Sequence, residues 1–320
     1  MSEIHTITLN TALDYLIELN ELTPGTLHTS DAADITPAGK GINVARTLVS
    51  LGESVDLTGF IGEENRGLFE SLGSEYIRQE FISVPGQTRI NVTIHEKKCH
   101  RTTHIRNPGY SVSQQHIELL MDQLSGTISR GDYIVISGSL PPGAPENLYA
   151  ELIHLVHASG GIAILDSSGE ALKAGMTAQP DIIAPNVTEL SSIIDRDLEG
   201  EQDIRDAATA IAEIHGIELV VVSLAGDGLL GFELEPRRYH RIWLKSPVSE
   251  PIVSDVGCGD ALAGGLVYAI ARGDSVQEAL CFASAAGTAN LFKGKPGLID
   301  PEQLYAYRGQ LEYKASRKSD

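Results

Sequence analysis

The sequence predicts an α/β fold, a three-layer sandwich whose mostly parallel central sheet is covered by helices on both faces and carries a small β-sheet lid. Three observations lead there. Short apolar runs alternate with longer segments of helical periodicity. The runs are short and rich in apolar residues, as expected of parallel strands buried on both faces. Two regions break the alternation with short strands and no helix between them.

The elements follow in order. Ile4–Leu9 and Val55–Ile61 read as buried strands. Between them Gly41–Leu51 places apolar residues at 42, 44, 45, 48, 49 and 51, one face of a helix. Ser113–Leu124 and Leu148–Ala158 have helical spacing, while Tyr133–Ser137 and Gly161–Leu165 are strands. Leu219–Ser223 is a β-branched core strand and Ala261–Ala271 a helix. The exceptions are Tyr15–Asp34 and Thr88–Arg106, read as antiparallel excursions that together make a minor sheet. Neither linker nor repeat interrupts the chain, so 1–320 is expected to be one domain, with lid strands inserted within about 12–36 and 88–107.

Composition narrows the function. The 24 basic and 43 acidic residues give a formal charge of −19, which leaves no basic surface for a nucleic-acid groove. Three cysteines, Cys99, Cys258 and Cys281, are too few and too scattered for a disulfide framework or a zinc cage. The N-terminus lacks the pattern of a signal peptide, and no apolar run is long enough to span a bilayer; a cytoplasmic protein without membrane or nucleic-acid partners is expected.

Three glycine-rich turns carry the chemistry. In Ser254-Asp-Val-Gly-Cys-Gly-Asp-Ala-Leu-Ala-Gly-Gly265 a carboxylate follows a glycine turn at the start of a helix. Unpaired amides and the positive end of the helix dipole make such a turn an anion site. Asp260 is either a functional carboxylate there or an N-cap. Ala38-Gly-Lys-Gly-Ile-Asn-Val-Ala45 again sets glycines before a helix, with Lys40 and Asn43 as polar groups; the alternative is a turn with an exposed lysine. Ser137-Gly-Ser-Leu-Pro-Pro-Gly143 follows a buried strand, where α/β sheets collect ligands, or is simply a rigid proline turn. Gly-x-x-x-x-Gly-Lys-Ser/Thr does not occur, which excludes a P-loop, and Leu262 keeps Gly257-Cys-Gly259 from opening a Gly-x-Gly-x-x-Gly dinucleotide fingerprint.

Together with Asp14, these pieces resemble the ribokinase-like sugar kinases of the phosphofructokinase B branch over nearly the whole chain. Gly39–Ala45 looks like the N-terminal signature and Gly257-Cys-Gly-Asp260 like the C-terminal one. Asp166–Leu172 and Pro185-Asn-Val-Thr-Glu189 also match, and Thr88-Arg-Ile-Asn-Val92 is most similar to the 1-phosphofructokinases.

The resemblance implies a ribokinase-like fold and an ATP-dependent kinase acting on a ketohexose phosphate. Fructose 1-phosphate is the first expectation, tagatose 6-phosphate the second and fructose 6-phosphate the third. By matching positions, Asp260 would be the general base, and the amides of Gly257, Cys258, Gly259 and Asp260 the anion hole. Asp14, Gly39, Lys40, Asn43, Arg89, Asn91, Arg106 and Ser139 would bind the sugar phosphate. Asn186, Ser223, Ala225, Gly226, Gly228, Gly259 and Asn290 would meet ATP. Asn186 and Glu189 would hold Mg²⁺ largely through water; otherwise Glu189 is a first-turn helix acid. A homodimer through the lid is implied. A non-catalytic sugar-phosphate or nucleotide sensor on the same fold is the alternative of a different class, which the retained Asp260 disfavours.

Several positions depart from the pattern. Asp255 replaces the usual Thr and would point to solvent or to a cation. Cys258 replaces Ala; its thiol is either lowered in pKa by the helix N-terminus or inert and buried. Ala184 stands for Lys, Ala225 for Gly, and Asn10-Thr-Ala for Asn-Pro-Ala.

Overall fold

The computed structural model describes residues 2–30 and 32–317. β1 (Ile4–Thr8) leads into β2 (Ala12–Leu19) and β3 (Ala32–Ala38), and α1 (Lys40–Ser50) returns the chain to β4 (Val55–Gly62) and β5 (Ile77–Val84). The hairpin β6 (Arg89–Glu96) and β7 (Arg101–Arg106) precedes α2 (Gln114–Thr127) and β8 (Tyr133–Ser137). There follow α3 (Leu148–Ala158), β9 (Ile162–Asp166), α4 (Gly169–Met176), β10 (Ile182–Ile183), α5 (Val187–Ile194), α6 (Gly200–His215) and β11 (Leu219–Ser223). The last elements are β12 (Leu229–Glu233), β13 (Arg238–Leu244), α7 (Cys258–Ala271), α8 (Val276–Asn290), α9 (Pro301–Arg308) and β14 (Leu311–Arg317).

The main sheet has the order β14-β13-β12-β11-β10-β9-β8-β1-β4-β5. From β11 to β5 every pair is parallel; β12, β13 and β14 extend the edge antiparallel. Alternation along the strands feeds two cores. Ile134 and Ile136 pack with α2 to α6, while Val135 faces the other way toward α1, α7, α8 and α9. The small residues of α7 serve its close packing, since a side chain at Gly264 would meet Thr47 and one at Gly265 would meet Ala286. No helix among the described residues is long and apolar enough to cross a membrane.

The smaller sheet, β3-β2-β6-β7, joins the two expected antiparallel excursions side by side and is mixed. β2 pairs antiparallel with β3 but parallel with β6. The reason is topological: β2 follows β1 and β6 follows β5, and both leave the carboxyl end of a parallel strand in the same sense. The lid thus stands over the edge of the sheet where α/β folds bind ligands.

The β11–β12 turn depends on positive-φ backbone. Ala225 is held at φ 51° and Gly228 at φ 92°, both left-handed. A Cβ at Gly228 would lie 2.2 Å from the Ile242 carbonyl oxygen, so only glycine fits there. Ala225 carries a left-handed penalty that glycine would relieve. Ala225→Gly should raise the unfolding free energy by about 0.5 kcal/mol or more. Gly228→Ala should lower it by about 2 kcal/mol or more. Urea midpoints check both; a lower midpoint for Ala225→Gly would contradict the strain at this turn.

Candidate active site

The carboxyl ends of β8, β9, β10 and β11, with the start of α1, face the N-terminus of α7. α7 begins at Cys258 with Gly257 as its N-cap and no side-chain cap, so Asp260 is the third helical residue and not an N-cap. Gly257 has φ 88°, and a Cβ there would lie 2.6 Å from Pro296 Cβ. In this turn Cys258 N donates to Asp255 O and Ala261 N to Gly257 O. The amides of Gly259 and Asp260 have no acceptor among the described residues, and space beyond Gly259 is open. These are the orphan donors of a helix start, arranged to receive an anion.

Asp260 is buried, and its Oδ2 accepts a 2.7 Å hydrogen bond from Asn43 Nδ2. Burial, reinforced by the Asp166 charge, pushes its carboxyl up to about 7, while Lys40 and the Asn43 amide pull it down. A carboxylate with this affinity for a proton can take one from a hydroxyl at neutral pH.

Lys40 is the first residue of α1, capped by Gly39. Its Nζ donates to Asp166 Oδ1 at 3.0 Å and lies 3.9 Å from Glu189 Oε1. Burial opposes its charge, but Asp166, Asp260 and Glu189 outweigh that and hold the ammonium well above its ordinary pKa. The structure therefore turns Lys40 toward this acidic group, away from the lid arginines with which the sequence placed it. Asp166 was not singled out from the sequence; the available signal was a carboxylate at the end of a strand of the parallel sheet. Its second oxygen, Oδ2, is buried without a partner.

Asn186 and Glu189 cap α5 reciprocally: Asn186 Oδ1 accepts from Glu189 N at 2.8 Å, and Glu189 Oε2 accepts from Asn186 N at 2.9 Å. The first-turn role of Glu189 is thus real, yet it uses one oxygen and leaves the other facing Lys40. Gly39 and Gly41 are also required sterically. A Cβ at either would collide with Thr8, at 2.6 Å and 2.4 Å respectively, so they let α1 dock against β1.

On the lid, strand register aligns Asp14, Asn91 and Arg106 across β2, β6 and β7. Asn91 Nδ2 donates to Asp14 Oδ1 at 2.9 Å. Arg89 donates to the carbonyls of Asn10 at 3.0 Å and Thr11 at 3.3 Å. Burial and the nearby charge of Arg106 both disfavour its cation. The exposed Arg106 side chain has no hydrogen-bond or ion-pair partner among the described residues. Asn10 Nδ2 donates to the exposed Ser139 Oγ at 3.1 Å, which joins the third glycine turn to this corner. Two arginines thus lie beside Asp14 and Asn91 on the lid.

The β11–β12 turn adjoins Asn186, for Ser223 N donates to Pro185 O at 3.1 Å; it exposes Ala225 and Gly226 and includes Gly228. Asn290 does not belong to such a surface. It is fully buried, and its amide donates to the Leu298 carbonyl at 2.9 Å, holding the 295–298 loop behind Asn43 and Gly257. Asp255 is exposed to solvent. The Cys258 thiol is the inert one of the two alternatives: burial, with Asp255 and Asp260, pushes it up to about 12. The Cys258 amide, bonded to the Asp255 carbonyl, is not among the open donors of this turn, in contrast to the expected anion hole.

Comparison with known proteins agrees with this arrangement. Residues 7–303 match the model of the pfkB family of carbohydrate kinases. A 1-phosphofructokinase of Haemophilus influenzae is 34% identical over 302 residues, 94% of each chain. Phosphofructokinase-2 of Escherichia coli, solved in complex with potassium, superposes with a TM-score of 0.87 at 29% identity, covering 97% of this chain and 99% of its own. The ribokinase of Arabidopsis thaliana, solved with ribose and ATP, shares the fold at a TM-score of 0.74 and 19% identity, covering 96% of this chain and 99% of its own. The fold is ribokinase-like, and the chain belongs to the pfkB family of carbohydrate kinases.

Proposed function

We propose that the protein transfers the γ-phosphoryl group of ATP to the 6-hydroxyl of fructose 1-phosphate, giving fructose 1,6-bisphosphate. The observation that carries this reading is Asp260: a buried carboxyl pushed up to about 7, one residue beyond the open Gly259 amide. Asp260 takes the hydroxyl proton as the sugar oxygen bonds to the γ-phosphorus. The bond to the β,γ-bridging oxygen breaks and ADP leaves. The Gly259 and Asp260 amides, with Lys40, receive the charge on the migrating group. A binding protein without catalysis has no use for such a base.

Mg²⁺ fits the residues present, because the unpartnered Asp166 Oδ2 and the Glu189 oxygen not used in the helix cap are hard oxygen donors. Asp166 and Glu189 would hold the ion, which neutralises phosphate charge. Ser223 to Gly228 would carry the nucleotide.

The acceptor's own phosphate is assigned to Arg89 and Arg106, whose mutual repulsion an anion between them relieves. The relatives named 1-phosphofructokinase support the position of that phosphate. The lid also supports a homodimer. On the face opposite Asp14, register aligns Ile35, Tyr15, Val92 and Ile105, with Ile35 41% and Ile105 55% exposed. A second lid would cover that row.

Two outcomes test these readings. Asp260→Asn should lower kcat by about 10²–10⁴-fold with both substrates still bound. Arg89→Ala should lower kcat/KM for fructose 1-phosphate about 10- to 100-fold and leave that for free fructose nearly unchanged. If tagatose 6-phosphate or fructose 6-phosphate exceeds fructose 1-phosphate in kcat/KM, the substrate is corrected and the mechanism stands. If free fructose leads, the phosphate pocket is wrong. For assembly, light scattering should give twice the chain mass for wild type and the single-chain mass for Ile105→Glu; an unchanged dimer would place the interface elsewhere.

A further inference from the structure

Asn43 holds Asp260, and something must hold Asn43. A primary amide presents a donor end and an acceptor end of nearly the same shape, so only its surroundings decide which end meets the carboxylate. With the oxygen toward Asp260 the contact would be repulsive. Arg46, one turn further along α1, settles the choice: its Nη1 donates to Asn43 Oδ1 at 2.9 Å. The same guanidinium donates to the carbonyl of Pro37 at 2.5 Å, at the root of lid strand β3, and to that of Pro296 at 3.4 Å. The rear of the amide is closed as well. Thr47 Oγ1 donates to Gly297 O at 2.7 Å, and Gly297 lies so close that a Cβ there would be 2.1 Å from Asn43 O.

We propose that Arg46 is a positioning residue for phosphoryl transfer, fixing the Asn43 amide so that it donates to Asp260 and keeps the base ionised and aimed. A guanidinium suits the task because its rigid fork reaches several acceptors at once, which an ammonium cannot do. The titratable groups around Asp260 are Lys40 on α1, Asp166 at the end of β9, Glu189 on α5 and the uncharged Cys258 thiol on its own helix. Arg46 itself stands between Asp260 and Asp14 of β2. Arg46→Lys leaves all those charges in place and removes only the fork.

The inference rests on Asp260 as base, and the experiment separates the two. Arg46→Lys should lower kcat about tenfold at neutral pH, with KM for ATP and for fructose 1-phosphate within about twofold. The acid limb of kcat/KM should move up by about half to one pH unit, because the carboxylate loses a hydrogen bond that favoured its charged form. In an Asn43→Ala background the same change should do nothing further, since its route to Asp260 runs through the amide. Arg46→Gln, which also removes the charge, should move the limb further the same way, and serves if the lysine variant folds poorly. Equal losses in both backgrounds, or an acid limb left in place, would overturn the inference. An active Asp260→Asn would instead overturn the base. An inactive Asp260→Asn beside additive Arg46→Lys would remove Arg46 alone.

Discussion

One lysine among three carboxylates governs this site. Asp166 arrives at the end of β9, Glu189 in the first turn of α5 and Asp260 in the first turn of α7. Each bears on the Lys40 charge. Without a central cation, so much negative charge in a buried place would repel itself and repel any phosphate entering. The need to bring Lys40 to that point explains features that seem unrelated. α1 starts on glycine and lies hard against β1, where only hydrogen fits at Gly39 and Gly41. The same helix then supplies Asn43 to the base and Arg46 to Asn43.

The three carboxylates do not share Lys40 equally, and the asymmetry divides their work. Asp166 takes the direct hydrogen bond, and Glu189 is nearby while it also caps its own helix. Asp260 receives a neutral amide instead. It is therefore stabilised enough to stay ionised near neutral pH and remains basic enough to accept a proton. Asp166 keeps an unpartnered oxygen, and the open amides of α7 lie beside Asp260. Phosphate, cation and proton acceptor can then meet without a P-loop.

Much of this was legible along the chain, because local signals coincide with structure in its parallel half. Ile4–Leu9, Val55–Ile61, Tyr133–Ser137 and Leu219–Ser223 are apolar runs that lie in or beside interior strands. The glycine turns mark places where backbone must pack closely, and their order identified the family. Partnerships across long separations were not legible. Lys40 and Asp166 are 126 residues apart, Asn43 and Asp260 217. Nothing local in Gly39–Ala45 says whether its lysine faces the lid or the sheet. Asn290 was assigned to the nucleotide only through the family resemblance; its burial shows that it braces a loop. The β12–β14 edge was passed over because its strands pair with the main sheet antiparallel, outside the β-α-β rhythm. Leu311–Arg317 nevertheless shows the alternation of a half-covered strand.

The pH dependence of kcat/KM for fructose 1-phosphate tests the central claim most directly. Below its folded-state pKa, Asp260 carries a proton and cannot accept another, so activity should rise with pH through an acid limb near 7, the value to which burial pushes this carboxyl. In Asp260→Asn that limb should vanish, leaving a low and flat residual rate. A limb that persists unchanged in the asparagine variant would assign the titration to another group and remove Asp260 from the role of base.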